Sequence, residues 1–161
     1  MTARKKTNTN PTEKQIESGN YAKGKFNWNG LRIAIENPKG STRSGTDSKG
    51  KKWSIEMKHE YGYILGTVGA DKDHLDVFIG TDPDSELVYI VNQVDPDSGK
   101  FDEVKIMLGF VNQSSAEDGY LSNYEPNWRG LGSIKPMTLP SFKRWLDGDT
   151  TKKAAQKHDT R

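Results

Sequence analysis

The sequence predicts an α+β domain built on a strongly curved antiparallel sheet or small barrel, with two helices packed outside. Three observations carry that reading. Short runs rich in Ile, Val, Tyr and Phe succeed one another over residues 31–110, separated by clusters of Gly, Pro, Asp and Ser. Helix-like segments come only later, at 115–124 and 139–146. The length of 161 residues is that of one domain, so these pieces are expected to share one core.

Composition narrows the class. Apolar residues make up 32%, and the 16 glycines bring the share to about 42%, slightly below that of an ordinary globular chain. A modest core flanked by polar tails accounts for the deficit. The net charge of +2 is unevenly spread: 1–24 carries about +3, 149–161 about +2, and the region between about −3. We therefore expect a disordered tail at 1–24, a folded domain at 25–148 and a disordered basic tail at 149–161. Such tails would hold nucleic acid weakly through its phosphates or serve only solubility, and removing them should cost little stability. No stretch is long and apolar enough for a membrane span, and MTARKKTNTN lacks the apolar region of a signal peptide. A cytoplasmic location is expected. The absence of Cys excludes disulfides and thiolate metal sites, and His59, His74 and His158 are too scattered for a zinc site. Oxygen ligands remain.

The first element is LRIAIE, residues 31–36, which alternates Leu31, Ile33 and Ile35 with Arg32, Ala34 and Glu36 as a half-buried strand does. PKGSTRSGTDSKGKK follows, dense in turn-formers and cations, leading to a second strand at 52–57. This long loop offers Lys39, Arg43, Lys51 and Lys52 to an anionic ligand, or is simply a mobile surface loop.

The next stretch, YGYILGTVGADKDHLDVFIG at 61–80, organises the chain. Two strand-like pieces, YGYIL and LDVFI, flank a loop in which Asp71, Asp73 and Asp76 are spaced D-x-D-x-x-D. Three carboxylates held this close need counter-charge, most simply a hard divalent cation such as Mg²⁺ or Mn²⁺. Spacing alone is satisfied equally by a solvated acidic turn. An EF-hand does not fit, because counting from Asp71 puts Leu75 and Asp76 at the fifth and sixth positions. Asp76 falls inside the apolar run LDVFI, where an unpaired charge is costly, and this favours a ligand role.

LVYIVNQV at 87–94 reads as an apolar strand, DPDSGK as a turn and FDEVKIMLGF at 101–110 as its hairpin partner. Ser114 with Glu117 has the pattern of a capping box ahead of a helix near 115–124, and Thr138 or Ser141, with Pro140, opens LPSFKRWL, which Gly148 can close. Leu139, Phe142, Trp145 and Leu146 recur at helical spacing and read as core.

The 61–80 stretch resembles the signature of the soluble family I inorganic pyrophosphatases, in which an aromatic-Gly-aromatic strand leads into D-x-D-x-hydrophobic-D-hydrophobic. With ENPKGSTRSG before it and FDEVKIMLGF after it, the chain is more closely similar to pyrophosphatase-like modules of bacteriophage proteins, over roughly residues 31–146. The resemblance implies a five-stranded OB-like barrel whose carboxylates meet at one mouth, Mg²⁺ as cofactor with Mn²⁺ as substitute, and hydrolysis of pyrophosphate by a water that the cations acidify. Asp71, Asp73 and Asp76 match the metal-binding aspartates, with Asp73 placed to orient or deprotonate the water. Asp97 and Asp102 keep the family's five-residue spacing, but the next lysine, Lys105, comes one residue late, so either Asp102 or Glu103 is the inward carboxylate. Lys39, Arg43, Tyr61, Lys105 and Tyr124 would neutralise or hydrogen-bond phosphoryl oxygens, with Tyr61 and Lys105 acting alongside Asp73 in catalysis. Glu125 replaces a family lysine beside Tyr124, leaving Arg129 to supply that charge, and Ala34 stands where a lysine precedes the acid matched by Glu36. A homo-oligomer is expected, in the host cytoplasm if a phage encodes the chain. Two other readings stay open: a hydrolase of a nucleotide or other phosphoanhydride, and a non-catalytic module of a phage particle that binds nucleic acid through its tails.

Overall fold

The computed structural model describes residues 5–9 and 23–154. Among the described residues, nine strands and two helices follow in the order β1 (Gly24–Trp28), β2 (Leu31–Asn37), β3 (Thr42–Thr46), β4 (Lys52–Glu56), β5 (Glu60–Ile64), β6 (Leu75–Ile79), β7 (Leu87–Val94), β8 (Phe101–Leu108), α1 (Gln113–Ser122), β9 (Leu131–Thr138) and α2 (Leu139–Leu146). Seven strands form one sheet in the order β1-β2-β5-β6-β8-β7-β9, and β3 and β4 form a separate hairpin.

The α+β class holds, but the sheet is mixed and is not closed into a barrel. The departure from an antiparallel arrangement lies at its centre. The β7–β8 hairpin is inserted with its second strand inward, so that β8 runs parallel to β6 while remaining antiparallel to β7. Strand order along a chain does not reveal which arm of a hairpin will be the inner one. β1 and β9 stand at the two ends of the sheet order, each hydrogen-bonded on one side only among the described residues.

Three strands, β1, β3 and β9, lie outside the strands read from the sequence. β1 and β2 are joined by Asn29 and Gly30, both with positive φ (49° and 92°), the chemistry of a tight hairpin turn. β3 is a Ser/Gly-rich strand that pairs with β4 residue for residue. The indole of Trp53 lies over Gly45, its cross-strand partner, where a Cβ would come within 2.6 Å of the ring. β9 contains Pro136, which an interior strand does not tolerate; as the last strand of the sheet it needs no ladder on its outer side.

The two faces of the sheet carry two cores. Ile33, Ile64, Leu75, Val77, Ile90, Ile106 and Leu108 pack on one face with Phe142 of α2. On the other, Tyr61, Phe78, Tyr89, Val91 and Met107 pack against Ala116 and Tyr120 of α1 and against Met57. α2 begins at the expected cap, with Thr138 Oγ1 accepting from Ser141 N–H and Pro140 in the first turn. α1 begins earlier than expected: Asn112, rather than Ser114, caps it, and Ser115 closes the reciprocal capping box.

The expected tails are partly ordered. Thr7 is buried, donates to the Ile35 carbonyl and accepts from Gly24 N–H. At the other end Thr150 donates to the Val68 carbonyl, and Ala154 is buried with its N–H and C=O both held by the Asn92 side chain. Residues 149–154 therefore dock on the domain, because Asn92, buried in the sheet, needs polar partners that this segment supplies. The remainder of both expected tails, 1–4, 10–22 and 155–161, lies outside the described residues.

Candidate active site

The site grows out of the second core at the end of β5, β6 and β8. Gly62, between Tyr61 and Tyr63, allows β5 and β2 to approach; a Cβ there would sit 1.8 Å from the Ala34 carbonyl oxygen. Tyr63 pairs with Asp76 across β5 and β6, and Asp76 pairs with Lys105 across the parallel β6–β8 register. Because side chains alternate along a strand, Glu103, two residues before Lys105, shares its face.

Lys105 is buried and spends its ammonium on three partners: Asp76 Oδ2 at 2.6 Å, Glu103 Oε1 at 2.8 Å and the Tyr61 hydroxyl at 2.9 Å. Arg43, from β3, reaches the same hydroxyl at 3.4 Å and lies over both the Tyr61 and Trp53 rings. Asp71, from the loop before β6, completes an acidic group in which Asp71, Asp76 and Glu103 each offer an oxygen within 4.8 Å of the others. Two of the three are partly buried, and all three offer hard carboxylate oxygens. That donor set suits a hard divalent cation, and the Lys105 ammonium bridging Asp76 and Glu103 shows that positive charge is already accommodated there.

The electrostatics follow. Burial opposes the charge on Asp76, but the Lys105 ammonium and hydrogen bonds from Glu103, Lys105 and Tyr61 outweigh it and hold the carboxyl below its ordinary range. Glu103 goes the other way: desolvation and the adjacent Asp76 push it up to about 7, against the pull of Lys105. Of the two neighbouring carboxyls, Glu103 is therefore the more readily protonated. Burial pushes the Tyr61 hydroxyl up to about 12. Lys105 is raised well above the usual lysine value, because its anionic and phenolic neighbours overcome desolvation.

Of the residues proposed from sequence, Asp71, Asp76, Glu103, Lys105, Tyr61 and Arg43 are brought together. Asp73 is exposed on the same loop, its N–H donating to Asp71 Oδ1, and is outside the three-carboxylate group. Asp97 is exposed at the β7–β8 turn, 3.7 Å from Lys49, and Asp102 accepts from Gln93 Nε2 at 3.1 Å. Neither belongs to the group, and Glu103 is the inward carboxylate of the pair left open. Lys39 is exposed in the β2–β3 turn; burial lowers the pKa of His59, and the Lys39 charge lowers it further. Tyr124 does not point a free hydroxyl at the site: it donates to Gln93 Oε1 at 2.9 Å, alongside Tyr120 at 2.7 Å. Arg129 is exposed on the wall of a cavity of about 540 Å³ that also reaches Arg43, Glu103 and Lys105.

Sequence reading missed Gln93, Trp53 and Trp128. Gln93 bridges Asp102 to both tyrosines, and Trp128 stacks on Tyr124 at 4.6 Å while donating its indole N–H to Tyr120. Gln93 carries no local signal, since its role depends on α1 reaching over β7. The tryptophans do stand out as large aromatics in polar stretches.

Among the described residues no helix is long and apolar enough to cross a membrane. Comparison with curated proteins and with solved structures gives no significant match. The family model described as inorganic pyrophosphatase matches residues 13–147, a span that includes every side chain of the cluster around Lys105. The chain belongs to the inorganic pyrophosphatase family.

Proposed function

We propose that the protein hydrolyses inorganic pyrophosphate with a divalent cation, Mg²⁺ or Mn²⁺, held by Asp71, Asp76 and Glu103. The observation that carries this reading is the convergence of those three carboxylates beside a buried Lys105 within a pyrophosphatase-family domain. When bound, the cation neutralises phosphoryl charge and acidifies water toward neutral pKa.

The chain's own residues would do the rest. Lys105 and Arg43 present positive charge beside the Tyr61 hydroxyl, and together these groups bind the diphosphate and stabilise the charge that builds on the departing phosphate. Tyr61, with its pKa raised to about 12, stays protonated and serves as a hydrogen-bond donor, not a base. Asp73 is the exposed carboxylate nearest in sequence to Asp71 and would take the proton from the attacking water. Arg129, on the wall of the same cavity, would contribute charge there.

Phosphate release from pyrophosphate, measured with Mg²⁺ and again after EDTA, tests the reading. Turnover with Mg²⁺ that stops on chelation supports it. Absence of turnover with either Mg²⁺ or Mn²⁺ would overturn it.

A further inference from the structure

The cavity beside the carboxylates is larger and more aromatic than pyrophosphate requires. Its 540 Å³ lies inside the roughly 300–1,000 Å³ range of sites that hold organic ligands, whereas pyrophosphate is two phosphate tetrahedra with no apolar surface. Its lining includes Arg43, Glu103 and Lys105, shared with the proposed hydrolytic site, and the rings of Trp53, Tyr124 and Trp128 beside Ile55; the rest is mostly polar, with Asp47, Asp95, Asp97 and Glu125 set against Lys49 and Arg129. Both indoles are partly exposed. Each is also braced: Trp53 lies on Gly45 with Arg43 against its ring, and Trp128 is stacked on Tyr124 with its N–H held by Tyr120. Rings fixed in this way lose little freedom when a planar group stacks on them. The cavity is bounded outside by the β3–β4 and β7–β8 turns, which approach to 3.7 Å at Lys49 and Asp97.

We propose that this cavity binds the base of a nucleoside diphosphate whose diphosphate lies at the Arg43–Lys105 end, with the base against Trp53 and Trp128. The proposal rests on the hydrolytic reading above, because the same cationic end receives the diphosphate. Water attack at the terminal phosphorus breaks the anhydride P–O bond; the electron pair leaves with the nucleoside monophosphate, and the water oxygen and its protons go to the released phosphate and solvent.

The test compares, by calorimetry in Mg²⁺, the Kd of α,β-methylene-ADP with that of methylenediphosphonate, which carries the same phosphonate linkage and no base. We expect the nucleotide analogue to bind at least about tenfold more tightly, and Trp53→Leu or Trp128→Leu to bring the ratio below about threefold while Trp53→Phe retains most of it. Reading a ratio separates loss of stacking from general damage to the site, and far-ultraviolet circular dichroism checks that each variant is folded. If methylenediphosphonate binds and the nucleotide analogue binds no better, the base site is wrong and the pyrophosphatase reading stands. A ratio unchanged in both leucine variants also overturns the assignment. If neither compound binds, both readings fail.

Discussion

Asp76 and Lys105 face one another across the parallel β6–β8 pair, with 2.6 Å between Oδ2 and Nζ. The insertion of β8 between β6 and β7 makes the contact, and Glu103, on the same face of β8 as Lys105, lies 2.8 Å from its ammonium. One ammonium therefore compensates two carboxyls that the fold holds mostly out of water.

Removing that ammonium should leave buried acid without a counter-charge. We expect Lys105→Met to destabilise the metal-free protein by about 3–5 kcal/mol. Mg²⁺ should restore more stability to the variant than it adds to wild type, because the cation then replaces the missing charge. Thermal melts of both proteins with EDTA and with Mg²⁺ measure the difference.

If Glu103 is a cation ligand as proposed, it should set a pH dependence for cation binding. Its folded pKa is raised to about 7, so below that pH a proton must leave before the carboxylate can act as a ligand. Apparent Mg²⁺ affinity should thus fall by up to about tenfold per unit as pH drops below 7 and be flat above it. Asp76, held below the ordinary carboxylate range, is ionised throughout and adds no slope there. In Glu103→Gln the slope should disappear and binding should be weaker at high pH, which calorimetry across pH 5.5 to about 8.5 would show.

Asn92 ties the chain near its end to the sheet. Its amide satisfies both backbone groups of the buried Ala154 and reaches Ser133. Asn92→Ala leaves these groups without partners and should cost about 1–3 kcal/mol, which corresponds to a Tm roughly 2–10 °C lower. Ending the chain before residue 149 should lower Tm comparably; an unchanged Tm in both would contradict docking of this segment.

Asp73→Asn separates the proton-transfer role from cation binding. The amide cannot accept the proton, so kcat for pyrophosphate should fall at least tenfold, about 1.4 kcal/mol or more. Mg²⁺ affinity should change little, because Asp73 stands apart from the three-carboxylate group. A wild-type kcat in this variant would move the base elsewhere.

How much of this was legible in the sequence depended on the range of the interactions involved. β6 and β7 match their predicted bounds because their apolar runs are local signals, and Asp76 stood out as a charge in such a run. β3 and β9 were hidden because Ser, Gly and Pro argue against strands unless a particular neighbour, Trp53 or the edge position beside β7, makes them acceptable. β1 was overlooked although Asn29-Gly30 is a strong hairpin signal. Glu103 was distinguished from Asp102 only by the pairing register, which places it with Lys105 opposite Asp76. Gln93 required the tertiary fold, since its two tyrosine partners come from α1 and the segment after it.

The claim that Asp71, Asp76 and Glu103 form the cation site is tested most directly by titrating Mn²⁺ into the protein and following the free ion by electron paramagnetic resonance. Wild type should show a site that weakens at least tenfold in Asp76→Asn and in Glu103→Gln, and that survives in Asp97→Asn and Asp102→Asn, whose carboxylates lie outside the group. Equal affinity in wild type and Asp76→Asn, or loss of the site in Asp97→Asn alone, would contradict the account.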